Sequence, residues 1–149
     1  MKLPRLLAAL ALVAALATGC VGNAATTGAY RGKASHSAKA AVSALQTALL
    51  AVQLEKKGKM LGGYLDVVMS RAEDDFSSVQ QQFDSIQPPN SDEADRIRDQ
   101  LDKLFTSGTQ ILSQLRILER RDDKIALTKV ATGIPGLVGK LNTLAQETA

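Results

Sequence analysis

The chain reads as an all-α protein: an antiparallel, up-down-up-down four-helix bundle behind an export signal and a flexible tether. Three observations predict this. The apolar residues are mainly Leu, Ile, Val and Ala, with 2 Tyr, 3 Phe and no Trp in 149 residues, whereas strands favour aromatic and β-branched side chains. Apolar positions recur at steps of three and four through four successive segments, the period of one helix face. Between the segments stand short breaks such as Lys56-Lys57-Gly58 and Gln87-Pro88-Pro89. Connections this short join antiparallel neighbours.

The first helix is expected over residues 37–57, with Ala38, Ala41, Val42, Leu45, Leu49 and Val52 inward. Gly58 can adopt a left-handed conformation to end it, and Lys56 and Lys57 suit the negative end of its dipole. The second is expected over 61–86, with Leu61, Leu65, Val68, Ala72, Phe76 and Phe83 among its apolar stripe. Pro88 and Pro89 stop it, since neither can donate a ladder bond.

The third begins with Asn90 as N-cap and Glu93 at the third helical position, similar to a capping box. Its stripe runs Ala94, Ile97, Leu101, Leu104, Gly108, Ile111, Leu115 and Leu118. Continuing that phase lands on Asp122, Ile125 and Lys129, whereas the next stripe starts at Leu127 and continues through Val130, Ile134, Leu137, Leu141 and Leu144. A tight turn at Arg121-Asp122-Asp123 restores the register and places acids at a helix N-terminus. Pro135 should kink the fourth helix after Thr132-Gly133. Gly108 on a core stripe implies a close helix approach, with a partner side chain filling the space, or a small cavity.

The N-terminus has a different organisation. Lys2 and Arg5 precede an uninterrupted apolar run over residues 6–17. As a helix it would be about 18 Å long, short of the roughly 30 Å hydrocarbon core, so it reads as the apolar region of a signal peptide. Leu16-Ala17-Thr18-Gly19-Cys20 follows. These residues resemble the lipobox of bacterial lipoproteins. The resemblance implies a diacylglycerol on the Cys20 thiol, cleavage between Gly19 and Cys20, and a lipid-anchored protein on the extracytoplasmic side of the cell membrane. Ala17 stands where Leu is commoner. The body, with its Ser-Ala-Leu-Gln-Thr-Ala-Leu-Leu-Ala-Val and Ala-Glu-Asp-Asp-Phe-Ser-Ser-Val-Gln stretches, is similar to small helical lipoproteins of high-GC Gram-positive bacteria. The expected organisation is thus a signal peptide over 1–19, a lipidated Cys with flexible tether over 20–35, and a helical bundle over 36–149. The tether, rich in Gly and small polar residues, would reach roughly 20 Å, with Tyr30 and Arg31 solvated or touching headgroups.

Several function classes lack their residues. The formal charge of +3 includes Lys2 and Arg5; without them the chain is close to neutral, and basic runs with interleaved aromatics, as nucleic-acid binding requires, are missing. The only Cys is Cys20, so the body has no disulfide, thiol nucleophile or thiolate metal site. The only His, His36, is expected at a frayed helix start, with no positioned neighbour to make it a general base. No phosphate loop or His-rich metal motif occurs. The expectation is therefore a non-enzymatic protein without cofactor or metal. The acidic groups Glu73-Asp74-Asp75 and Asp92-Glu93 with Asp95 read as solvated faces and helix-end charges, and Met60 and Met69 as core filling.

Topology suggests one candidate surface. The first-to-second and third-to-fourth turns fall at one end of such a bundle, remote from the tether, and carry Lys56, Lys57, Lys59, Arg116, Arg120, Arg121 and Lys124 against Glu55, Glu119, Asp122 and Asp123. That basic end reads as helix-dipole compensation or as a docking surface for an envelope protein or polyanion. The expected function is a membrane-anchored structural or interaction lipoprotein. The alternative is a ligand-binding or sensing domain with a pocket at the Gly108 and Pro135 irregularities.

Overall fold

The computed structural model describes residues 24–60 and 63–149. The expected export signal, Cys20, residues 21–23 of the expected tether, and Leu61 lie outside the described residues. Among the described residues the chain forms α1 Thr27–Lys56, α2 Tyr64–Asp84, α3 Asp92–Arg120, α4 Lys124–Ala131 and α5 Ile134–Glu147. α1 packs on α2 and on α5, and α3 packs on α2, α4 and α5. With α4 and α5 as two halves of one rod, this is the expected four-helix bundle.

The tether expectation needs correction. α1 starts at Thr27, well before residue 37, behind a Thr26 N-cap whose hydroxyl accepts from the Ala29 amide at 3.1 Å. Tyr30, Ala34 and Ser35 are buried, and Ser35 Oγ donates to the Ala145 carbonyl of α5 at 2.7 Å. His36 accordingly stands exposed inside a helix, not at its frayed start. The physical reason is that alanine is the best helix former while adding little apolar periodicity. The same residues explain the packing. Ala34, Ala38, Ala41, Ala44, Ala48 and Ala51 are all buried, and their small side chains let α1 approach both its neighbours and α3 across the bundle.

The α3 cap also moves by one residue. Ser91, not Asn90, is the N-cap, and its hydroxyl accepts from the Ala94 amide at 3.2 Å. Asn and Ser cap about equally well; Ser91 additionally lies 3.2 Å from Thr27 Oγ1, which ties this turn to the start of α1. The buried line of α3 runs through Phe105 and Leu112 as well as Leu101 and Leu115, leaving Leu104, Ile111 and Leu118 at its partly buried edge.

Two irregularities are resolved by contacts. At Thr132-Gly133 the amides bond back to Lys129 and Val130, three residues earlier, at 3.3 and 3.1 Å. This tightened turn separates α4 from α5, and Pro135 lies in the first turn of α5, where its missing N–H costs little. At Gly108 the ring of Phe76 occupies the space a Cβ would take. Phe76 meets Phe105 edge-on at 5.7 Å, Phe105 meets Phe83 at 6.0 Å, and Phe83 meets Tyr30 at 5.5 Å. One aromatic chain therefore links α1, α2 and α3.

Gly108→Ala should test this packing. Overpacking costs about 1–3 kcal/mol, against about 1 kcal/mol gained in helix propensity, so urea unfolding should show a net loss of up to about 2 kcal/mol. Adding Phe76→Leu should recover part of it; a Gly108→Ala protein more stable than the parent would contradict the close approach.

Candidate interaction surface

Both turns at the end remote from Thr27 are built alike. α1 ends with Gly58 at φ +65°, with Gly58 N–H bonded to the Glu55 carbonyl at 2.8 Å and Lys59 N–H to Leu54 at 2.9 Å. α3 ends with Asp122 at φ +52°, with Asp122 N–H bonded to Glu119 at 2.9 Å and Asp123 N–H to Leu118 at 3.0 Å. Each is a Schellman closure, which satisfies helix-end carbonyls through one left-handed residue. Gly58 is legible in the sequence. Asp122 is less so, because Asp enters that conformation only with help; its carboxylate lies 3.8 Å from Lys124 Nζ.

Lys124 joins the turns, with its Nζ 2.9 Å from Glu55 Oε1 across the gap between α4 and α1. Asp123 caps α4 by accepting from the Ala126 amide at 3.0 Å. Glu73 accepts from Ser113 Oγ at 2.7 Å and lies against Arg116 Nε, a contact that is ionic and not an aligned hydrogen bond. Much of the acid near this end is therefore engaged inside the fold. Lys56, Lys57, Lys59, Arg120 and Arg121 are exposed, and no ion pair to any of them occurs among the described residues. The structure brings the four sequence-predicted cations, Lys56, Lys57, Arg120 and Arg121, to the same end of the bundle; Cys20 lies outside the described residues.

Sequence reasoning missed the other half of this surface. Leu50, Tyr64, Val67, Ile117 and Ile125 are the exposed large hydrophobics among the described residues, with Ile125 87% exposed. Every one lies within seven residues of the 57–63 or 121–123 turn. The signal that finds them is an apolar residue out of phase with its helix stripe close to these turns. A groove bordered by Lys56, Ile125 and Thr128 runs between the end of α1 and the start of α4.

Beside it a small cleft of about 190 Å³ is lined by Glu55, Leu118, Glu119, Lys124 and Leu127. One Glu119 oxygen is buried there with no hydrogen-bond partner among the described residues. Burial, then the charge of Asp66, pushes the Glu119 carboxyl above the usual carboxylate range, and burial followed by Asp84 does the same to Asp102. The folded chain thus holds these protons more tightly than the unfolded chain does. Their contribution destabilises progressively as pH rises from the ordinary carboxylate range through the raised folded values. Glu119→Gln should consequently raise the melting temperature at neutral pH, with the advantage vanishing near about pH 4; an advantage independent of pH would refute that assignment.

The opposite end carries acids and is tied together by Arg31. Arg31 donates to the carbonyls of Glu147 at 3.0 Å and Ala149 at 3.3 Å, and lies 3.7 Å from Glu93. Asp92, Glu93 and Asp95 occupy the first turn of α3, where they favourably meet the helix dipole. Met69 is buried and Met60 packs against the core. Among the described residues no group of three or more His, Cys, Asp or Glu is placed to hold a metal ion, and no helix is long and apolar enough to cross a membrane. In comparisons with protein-family models, curated proteins and solved structures, nothing matches this chain.

Proposed function

We propose that this chain is an exported bacterial lipoprotein, held to the cell membrane through a lipid on Cys20. Its helical bundle serves as a non-enzymatic interaction module whose docking surface is the basic, apolar end. The resemblance of residues 16–20 to a lipobox supports the anchor. The observation that carries the docking surface is the coincidence of unpaired cations and exposed apolar side chains at the end opposite Thr27. Helix-dipole compensation accounts for cations at helix C-termini, but it gives no reason for Ile125 or Tyr64 to stand in water.

The corrected start of α1 changes the geometry of anchoring. Only residues 21–26 separate Cys20 from α1, so the anchor lies within about 25 Å of Thr27. α1 has 30 residues, which places the docking end about 45 Å further on. The test is a photo-crosslinking residue at Arg121 in the anchored protein, compared with one at Asp95. Adducts with an envelope component should form at position 121 and disappear when Lys56, Lys57 and Arg120 are neutralised. Equal capture from both ends, or capture unaffected by neutralisation, would refute the docking surface.

A second reading, a ligand-binding domain, rests on one feature. A groove of about 590 Å³ opens between α3 and α5, lined by Leu104, Pro135, Gly136, Gly139 and Lys140. Gly108 gives no support to it, since Phe76 fills that space.

A further inference from the structure

We infer that the surface bound by the docking end is an anionic lipid bilayer, the same one that holds the Cys20 anchor, so that the bundle is attached at two points. This rests on the proposed docking surface and names its partner. A soluble polyanion would be met by cations alone. Here the exposed cations Lys56, Lys57, Lys59, Arg120 and Arg121 accompany the exposed apolar side chains Leu50, Tyr64, Val67, Ile117 and Ile125. Amphipathic surfaces of this composition enter the boundary between headgroups and acyl chains, the apolar groups gaining burial and the cations neutralising lipid phosphates.

The exposed cations outnumber the acids here by a narrow margin, since Asp122 is exposed 3.8 Å from Lys124 and Asp66 stands close enough to act on Glu119; the apolar side chains therefore carry much of the expected attraction. Glu55 is paired with Lys124 and Asp123 caps α4, while the Glu119 carboxyl has part of its surface withdrawn from water. Geometry then selects the bilayer. A rod about 45 Å long whose first residue stands within about 25 Å of the anchor can reach, with its far end, the leaflet that anchors it. Tethering makes that contact intramolecular and gives it a high effective concentration.

The test uses the chain from Val21 to Ala149, which contains every helix and core residue described and lacks the anchor. It should co-sediment with vesicles of equal parts phosphatidylglycerol and phosphatidylcholine, not with phosphatidylcholine alone, and salt should release it. Each of Lys57→Ala and Arg121→Ala should weaken partitioning about fivefold, and Ile125→Ser about tenfold. All three positions are exposed, and circular dichroism checks that the variants fold. Loss of sedimentation with anionic vesicles overturns the inference, as does binding indifferent to Ile125→Ser, the result expected of a polyanion site. Crosslinks from position 121 to a protein or polymer, without vesicle binding, would leave the docking surface standing and remove only its lipid partner. Anchored protein that clusters anionic vesicles would place the contact on a facing membrane and overturn the two-point attachment.

Discussion

Cys20→Ser should abolish incorporation of labelled palmitate and leave a chain that retains its Met1 start. The parent should instead begin at an acylated Cys20. The expected change is complete because no other Cys exists in the chain to take the lipid. Each buried methylene contributes about 0.8 kcal/mol, so two or three acyl chains on Cys20 would hold the protein far more firmly than any surface contact on the bundle. Mass spectrometry of the native protein decides the matter. An unmodified thiol, or label persisting in Cys20→Ser, would refute the anchor and with it the two-point attachment. The bundle itself would be untouched by that result.

Tyr30→Ala should cost about 3–5 kcal/mol, the range for emptying a large aromatic site in a core. Tyr30 is fully buried, stacks at a tilt on Phe83, and ends the aromatic chain that joins three helices. Its hydroxyl is buried with no hydrogen-bond partner among the described residues, and burial first of all raises its pKa. Tyr30→Phe should therefore keep the packing, remove an unsatisfied polar atom, and raise stability by about 1 kcal/mol. Chemical denaturation of the pair separates two accounts of residues 27–35. A solvated leash would make both substitutions neutral; a docked helix makes them differ by several kcal/mol in the stated order. Preserved stability in Tyr30→Ala would return the stretch to the tether.

The same residues show what patterning can and cannot reveal. Steps of three and four identify the bodies of α2 and α3 because Leu65, Phe76, Phe83, Leu101 and Leu115 are large and regularly spaced. The phase slip after Leu118 locates the Arg121-Asp122-Asp123 turn, and Pro135 locates the break between α4 and α5. The start of α1 leaves a weak trace, because Gly28, Gly32 and several alanines carry little contrast between faces. The candidate surface was half legible: its cations follow from turn positions, while its apolar members emerge only when burial is known.

By itself, then, the order of residues determined the all-helical class, the number of rods, their breaks and the charge at each turn, since these depend on local propensity and on periods shorter than a helix. Tertiary structure alone decided where the folded body starts, which hydroxyl caps α3, what fills the space at Gly108, and which apolar residues stay in water. Those outcomes depend on side chains far apart in sequence, such as Ser35 with Ala145 and Phe76 with Gly108, whose meeting no local pattern encodes.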